Sequence, residues 1–140
     1  KGASVTASDI NPKAIENVEL NASNNGVEVE TVLSDLFSDI PKQYFDYVVI
    51  NPPYYPKKPN TEAEHAWFGG ENFEYFEKLF PQLGNYFQPS SKVYMILSED
   101  CAIEHLKKIA HSSGISFQLE FQTKRQGEEN YIFLLNKSVN

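Results

Sequence analysis

The sequence predicts an α/β fold, a mostly parallel sheet covered by helices and closed by an antiparallel hairpin at its carboxyl end. Three observations carry this. Val48-Val49-Ile50 is an unbroken apolar run, the pattern of a strand covered on both faces in the middle of a parallel sheet. Ser8-Asp9-Ile10-Asn11-Pro12 joins a β-prone stretch to a helix start, because Asn caps a helix and proline suits its first position. Near the end, Ile115, Phe117, Leu119 and Phe121 alternate and Tyr131-Ile132-Phe133-Leu134-Leu135 follows, across a connection too short for a crossover helix.

The elements follow in order. Ala3 to Ile10 forms a short strand ending in an acid. The helix after Asn11-Pro12 runs to about Asn24 with Ile15, Val18 and Ala22 on one face, and Asn25-Gly26 stops it. Val27 to Leu33 alternates and reads as the next strand, closed by Ser34-Asp35-Leu36-Phe37. Pro41-Lys42-Gln43 connects it to the central strand, entered through Tyr44-Phe45-Asp46-Tyr47. Residues 56 to 66 make a long polar, proline-containing loop of the kind that lies over a site. Trp67-Phe68-Gly69-Gly70 leads into a helix with Phe73, Phe76, Phe80 and Leu83 on its apolar face. Lys92 to Leu97 is another buried strand, and Ser98 caps a helix that turns Ile103, Leu106 and Ala110 inward until Gly114. Strict alternation from Ile115 to Phe121 predicts a strand with one buried face. The polar stretch Thr123 to Asn130, with Gly127, turns the chain into the last strand.

The chemistry concentrates where the central strand stops, at Asn51-Pro52-Pro53-Tyr54-Tyr55. In open α/β sheets ligands bind beyond the carboxyl ends of the strands. Pro52 and Pro53 have fixed φ and no N–H, so the loop offers carbonyls without competing donors. Asn51 adds a side-chain oxygen. Acceptors held together suit a planar –NH2 group, and Tyr54 supplies a flat face for a planar amide or base. Binding both hydrogens of such a nitrogen favours positive charge on it as it attacks, which stabilises the transition state electrostatically. The same letters also suit a strand followed by a proline-rich turn without chemistry.

Ile50-Asn51-Pro52-Pro53-Tyr54 at the end of a hydrophobic strand resembles the acceptor-loop motif of the Rossmann-like, amino-methylating S-adenosylmethionine-dependent methyltransferases. The resemblance covers nearly the whole chain. It implies a Rossmann-like sheet, S-adenosylmethionine as cofactor, and methylation of an amide or amino nitrogen. It implies cofactor contacts from Asp9 and Ile10, with Asp9 on the ribose, and from Asp35 and Leu36, with Asp35 on the adenine amine and Leu36 against the ring. Asn51 also borders the cofactor, while Asn51, Pro52, Pro53 and Tyr54 form the catalytic loop. Alone, Asp9 is equally a turn carboxylate favoured beside a helix N-terminus. The aromatic-Gly-Gly stretch resembles the glutamine methyltransferases of peptide release factors in particular, although their acid-Gly-Leu is absent at Asn72-Phe73-Glu74. Tyr55, Trp67 and Phe68 are then substrate-lining residues, Trp67 and Phe68 being equally a hydrophobic anchor for the loop. A protein glutamine leads as substrate, an RNA guanine N2 or adenine N6 is the alternative, and a non-catalytic binding or assembly remnant of the fold is the competitor from another class.

Composition bounds these readings. The 140 residues make one domain with room for a core. A net charge of −7 tilts the substrate towards protein, since nucleic-acid binders neutralise phosphates with basic surface. The basic residues Lys57-Lys58, Lys107-Lys108 and Lys124-Arg125 come in pairs and form no stripe. No apolar run approaches the roughly 18 residues of a membrane span, and no signal peptide opens the chain. One cysteine, Cys101, excludes an internal disulfide and suits the reducing cytoplasm, where it reads as a small buried residue in a helix. His65, His105 and His111 lack ligand spacing, so no metal site is expected. The resemblance also implies a first strand ending in a glycine-rich loop, placed between the strands that end at Asp9 and Tyr54. Gly2 alone does not supply it, so the chain is expected to be a carboxyl-terminal fragment, or to be completed by a partner chain.

Overall fold

Asn11 starts the first helix as its sequence demands. In the computed structural model, which describes residues 2–55, 57–125 and 127–138, Asn11 Oδ1 accepts the Lys13 N–H at 2.9 Å and Pro12 occupies the first turn of α1 (Pro12–Asn25). Gly26 ends α1 in the left-handed conformation at φ 61° and returns its N–H to the Ala22 and Ser23 carbonyls, an arrangement that suits glycine because it lacks a Cβ. This helix connects β1 (Thr6–Asp9) to β2 (Glu30–Leu33), which pair in parallel with Asp9 opposite Leu33. The strand expected from Val27 begins at Glu30 instead. Val27 gives its N–H to Ala22 O at 3.0 Å, so the first residues of that apolar run complete the helix exit and join no ladder.

Residues 1–41 form one compact unit and residues 42–140 a second. The sequence reading treated both as a single domain. Among the described residues no ladder joins their sheets, which are β1-β2 in the first unit and a four-stranded sheet in the second.

The second unit contains β3 (Tyr47–Ile50), a 3-10 turn (Glu62–Ala66), α2 (Glu74–Leu83), β4 (Lys92–Ser98), α3 (Ile103–Ser112), β5 (Ile115–Arg125) and β6 (Glu128–Lys137). Its strand order is β3-β4-β6-β5. β3 is parallel to β4, while β6 lies antiparallel to both β4 and β5. The predicted closing hairpin is therefore present, with its last strand inserted in mid-sheet. Gln126, within the predicted turn, lies outside the described residues.

The core of this unit is built where periodicity puts it. Phe76, Leu79, Phe80 and Leu83 of α2 are buried, as are Val93, Met95 and Leu97 of β4 and Leu106 and Ala110 of α3, and α2 packs beside α3. Each such side chain contributes about 1.5–3 kcal/mol on burial. Phe80 meets Phe117 edge-on at 5.9 Å, and Phe117 meets Phe133 at 5.3 Å, so β5 and β6 are tied to α2 through rings.

Three expectations are corrected. β3 is not covered on both faces: Val48 and Ile50 turn to the covered face, whereas Tyr47 is 70% and Val49 80% exposed on the other, and among the described residues β3 pairs only with β4, at the edge of the sheet. β5 buries Ile115 and half-buries Phe117, yet Leu119 and Phe121 are exposed. A register shift between Leu119 and Phe121 on this outermost strand breaks the alternation. Finally, Ser98 caps no helix, and Cys101 lies in the turn before α3. The buried pair is joined by Ser98 N–H to Cys101 Sγ at 3.2 Å, and α3 starts only after Ala102.

Candidate active site

In the second unit, β3 delivers Asn51 to Tyr55 at its carboxyl end, beside the carboxyl end of the parallel β4. Asn51 is exposed and Pro52 is buried. Among the described residues, neither Asn51 Oδ1 nor the Pro52 carbonyl accepts a hydrogen bond from the protein. Two oxygens of the loop are thus left without a hydrogen-bond donor among the described residues, and its two prolines bring no N–H of their own. The Tyr54 and Tyr55 rings are 4.9 Å apart and tilted by 49°. The Tyr55 hydroxyl is held above the usual phenol range, chiefly by Tyr54, then by desolvation, and further by the Asp100 and Glu128 carboxylates.

The polar loop after Tyr55 is tied back at its far end. Pro56 lies outside the described residues, but Thr61 caps the 3-10 turn through the Glu64 N–H at 3.3 Å. Trp67 to Gly70 then runs beside the acceptor loop. Tyr55 N–H donates to Trp67 O at 3.1 Å, Gly69 N–H to Tyr55 O at 3.0 Å, and Gly70 N–H to Lys57 O at 3.1 Å. These make a short parallel bridge between Tyr55 and Phe68. Lys57 Nζ lies 4.8 Å from the Phe68 ring centre, a cation–π contact that adds to the clip. Phe68 is half-buried, whereas Trp67 is 61% exposed. The structure therefore brings Tyr55, Trp67 and Phe68, expected from the sequence to line the substrate path, beside Asn51 to Tyr54, expected to form the catalytic loop.

The start of α2 adds residues that motif reading missed. Phe73 precedes the helix at φ 62°, a left-handed conformation that suits glycine far better than a bulky residue. The resemblance drawn from the sequence implies the glycine of an acid-Gly-Leu at position 73, and the departure there falls on a backbone that suits glycine. Phe73 packs on His105 at 4.7 Å. Glu74 accepts the Asn72 N–H at 2.9 Å, and its carboxyl is held below the ordinary range, first by its own backbone N–H and then by that of Asn72.

In the first unit, Asp9 and Ile10 at the end of β1 adjoin Asp35 and Leu36 at the end of β2. Ser34 N–H donates to Asp9 O at 2.9 Å. Asp9 is exposed, and its Oδ1 accepts the Asn11 N–H at 2.7 Å. Its other oxygen has no hydrogen-bond partner among the described residues and can receive a diol. Both the turn reading and the ribose reading of Asp9 are compatible with this geometry. Leu36 stands at φ 56°, held there by the buried Ser34, whose hydroxyl donates to Leu36 O and accepts from Asp39 N–H, each at 3.0 Å. The sequence places Ser34 at the close of this strand without assigning its hydroxyl a role, though a serine between a strand and an Asp is a common turn-forming signal. The donor set fits a nucleoside: an accessible carboxylate, a second half-buried carboxylate, and Leu36 as an apolar neighbour.

Among the described residues no group of three or more His, Cys, Asp or Glu side chains could hold a metal ion, and no helix is long and apolar enough to cross a membrane.

The chain is similar to known proteins. The pattern of the methyltransferase small domain family matches residues 1–68, a span that holds Asp9, Asp35 and the Asn51 to Tyr54 loop. A putative protein N5-glutamine methyltransferase of Methanocaldococcus jannaschii is 31% identical over 130 residues, covering 86% of this chain and 66% of that protein. A release factor glutamine methyltransferase of Koribacter versatilis is 35% identical over 96 residues, covering 61% of this chain and 34% of its own length. The chain thus spans about two thirds of the first relative and one third of the second. Among solved structures, a methyltransferase from Pyrococcus furiosus superposes with a TM-score of 0.72 at 21% identity, over 97% of this chain and 64% of the other. That likeness establishes the fold.

Proposed function

Because the chain belongs to the Rossmann-like S-adenosylmethionine-dependent methyltransferases, we propose that it forms the acceptor-binding part of an enzyme that methylates a planar nitrogen, a protein glutamine side chain above all. The observation that carries this is the pair of unengaged acceptors, Asn51 Oδ1 and the Pro52 carbonyl, on a rigid loop at the carboxyl end of β3.

In this reading Asn51 and Pro52 accept the two N–H bonds of the target amide. Pro53 keeps the loop extended, and Tyr54 stacks on the amide plane. Drawing both hydrogens into acceptor bonds aims the nitrogen lone pair at the electrophile and stabilises the charge that develops there. Asp9 holds the ribose of S-adenosylmethionine, Asp35 its adenine amine, and Ile10 and Leu36 flank the base. The bound cofactor supplies an activated methyl group, so the loop needs to orient the nitrogen and does not need to create a nucleophile. Tyr55, Trp67 and Phe68 line the path of the substrate peptide.

Two observations favour protein over RNA. The net charge is −7, and Asp100 and Glu128 act electrostatically on Tyr55 beside the acceptor loop. Carboxylates there repel a phosphate backbone. The glutamine methyltransferases among its relatives support the same choice. A cytoplasmic location goes with this substrate and with a single reduced cysteine. The exposed edge of β3 supports completion of the sheet by a further strand, from upstream sequence or from a partner chain.

The test is methyl transfer from labelled S-adenosylmethionine by the full-length protein, offered release-factor peptides containing glutamine and, in parallel, guanine- and adenine-bearing RNA. Labelled glutamine supports the reading. Labelled RNA alone transfers the same loop chemistry to a base. Tight cofactor binding without transfer to any nitrogen points to the non-catalytic remnant.

A further inference from the structure

We propose that Gly69 is a positioning residue that sets the Pro53 carbonyl, and with it the acceptor loop, through a backbone contact that tolerates no side chain. The role in methyl transfer rests on the reading of the loop given above; the contact itself does not.

Conformation does not explain a glycine at this position. Among the described residues Gly2, Gly26, Gly70, Gly114 and Gly127 have positive φ, and Gly69 is not one of them. Space explains it. A Cβ on Gly69 would stand 2.5 Å from the Pro53 oxygen and 3.5 Å from its carbonyl carbon. The obstructing atom is a backbone oxygen, so it can give way only if the whole Pro53–Tyr54 peptide plane turns, since that peptide is planar. Gly69 is also tied on both sides. Its N–H donates to Tyr55 O at 3.0 Å, and its carbonyl accepts the Tyr75 N–H of α2 at 3.0 Å. It is buried. The chain of support runs from α2, whose Phe76, Leu79, Phe80 and Leu83 are anchored in the core, through Gly69 to Tyr55 and Pro53. Pro53 stands between the Pro52 carbonyl and the Tyr54 ring. A shift at Gly69 therefore moves the Pro52 carbonyl and the Tyr54 ring, two of the three groups that meet the target amide in that reading, without touching substrate or cofactor itself.

Gly69→Ala in the full-length protein tests this, with Gly84→Ala as control. At Gly84 φ is −55° and the nearest atoms to an added Cβ are 3.8 and 3.9 Å away, so the control should match wild type. Amide hydrogen exchange is read first, because it needs no activity. Gly69→Ala should speed exchange at the amides of Tyr55 and residue 69 by tenfold or more, while β4 and β6 keep their protection. Methylation of the glutamine peptide should then fall about 10²-fold in kcat, the cost of a small misplacement of reacting groups, with cofactor Kd unchanged and peptide KM altered much less. Unchanged exchange at Tyr55 overturns the proposal outright. Faster exchange with unchanged kcat overturns the role in catalysis. If wild-type protein methylates no nitrogen but exchange responds as expected, the contact is supported and the proposed reaction is what fails.

Discussion

At the scale of single residues, Asn51 stands at the centre of the proposed chemistry without being tied into the fold. Asn51 is exposed and unbonded among the described residues, so Asn51→Ala should lower kcat about 10²- to 10³-fold, the range for one lost preorganised partner, while the thermal midpoint stays within a degree or so of wild type. Steady-state kinetics with a melting curve checks both halves. Glu74 offers a pH test. Its folded carboxyl titrates below the ordinary range because backbone N–H groups bind the charged form. A lowered folded pKa means that the stabilisation is complete above the unfolded pKa and is lost as pH falls through the folded one. Exchange at the Asn72 amide should accordingly accelerate only on acidification below the usual glutamate range, and Glu74→Gln should remove that dependence. Cys101 runs the other way: burial raises its thiol pKa, which suppresses the thiolate. Iodoacetamide should label it slowly at mildly alkaline pH until urea unfolds the chain.

At the scale of elements, α2 carries the second unit. Phe76 is fully buried and touches both Tyr75 and Phe80. Phe76→Ala should cost about 3–5 kcal/mol, read as a lower urea midpoint. α2 and the strand ending at Asn51 were legible beforehand because helical spacing of aromatics and an unbroken Val/Ile run are local signals. Less legible were features set by neighbours. Val49 belongs to an unbroken apolar run, yet it is exposed, because burial of a strand residue depends on what covers its face of the sheet. Leu119 and Phe121 alternate faultlessly in sequence, and a single register shift against β6 undoes the pattern. In the candidate site, the Asn51 to Tyr54 loop was readable from its letters, since prolines dictate backbone locally. The Gly69 contact was not, because it depends on a residue sixteen positions away.

At the scale of the whole molecule, uncovered apolar surface stands out. Val5, Leu20 and Leu33 are exposed in the first unit, and Tyr47 and Val49 in the second. A paired-on-one-side strand with such side chains invites pairing with another strand. The 140-residue chain should therefore self-associate as its concentration rises in sedimentation velocity, and Val49→Lys should suppress this. The sheet order holds a consequence for how the protein is made. β6 lies between β4 and β5 although it follows both in sequence, so during synthesis β4 and β5 emerge before the strand that joins them exists. Until residues 128–137 leave the ribosome, the apolar faces of Val93, Met95 and Ile115 have no finished sheet to occupy. Closure of this unit is then a late and nearly all-or-none event, and a nascent chain stalled before Glu128 should depend on chaperones in a way that the finished chain does not.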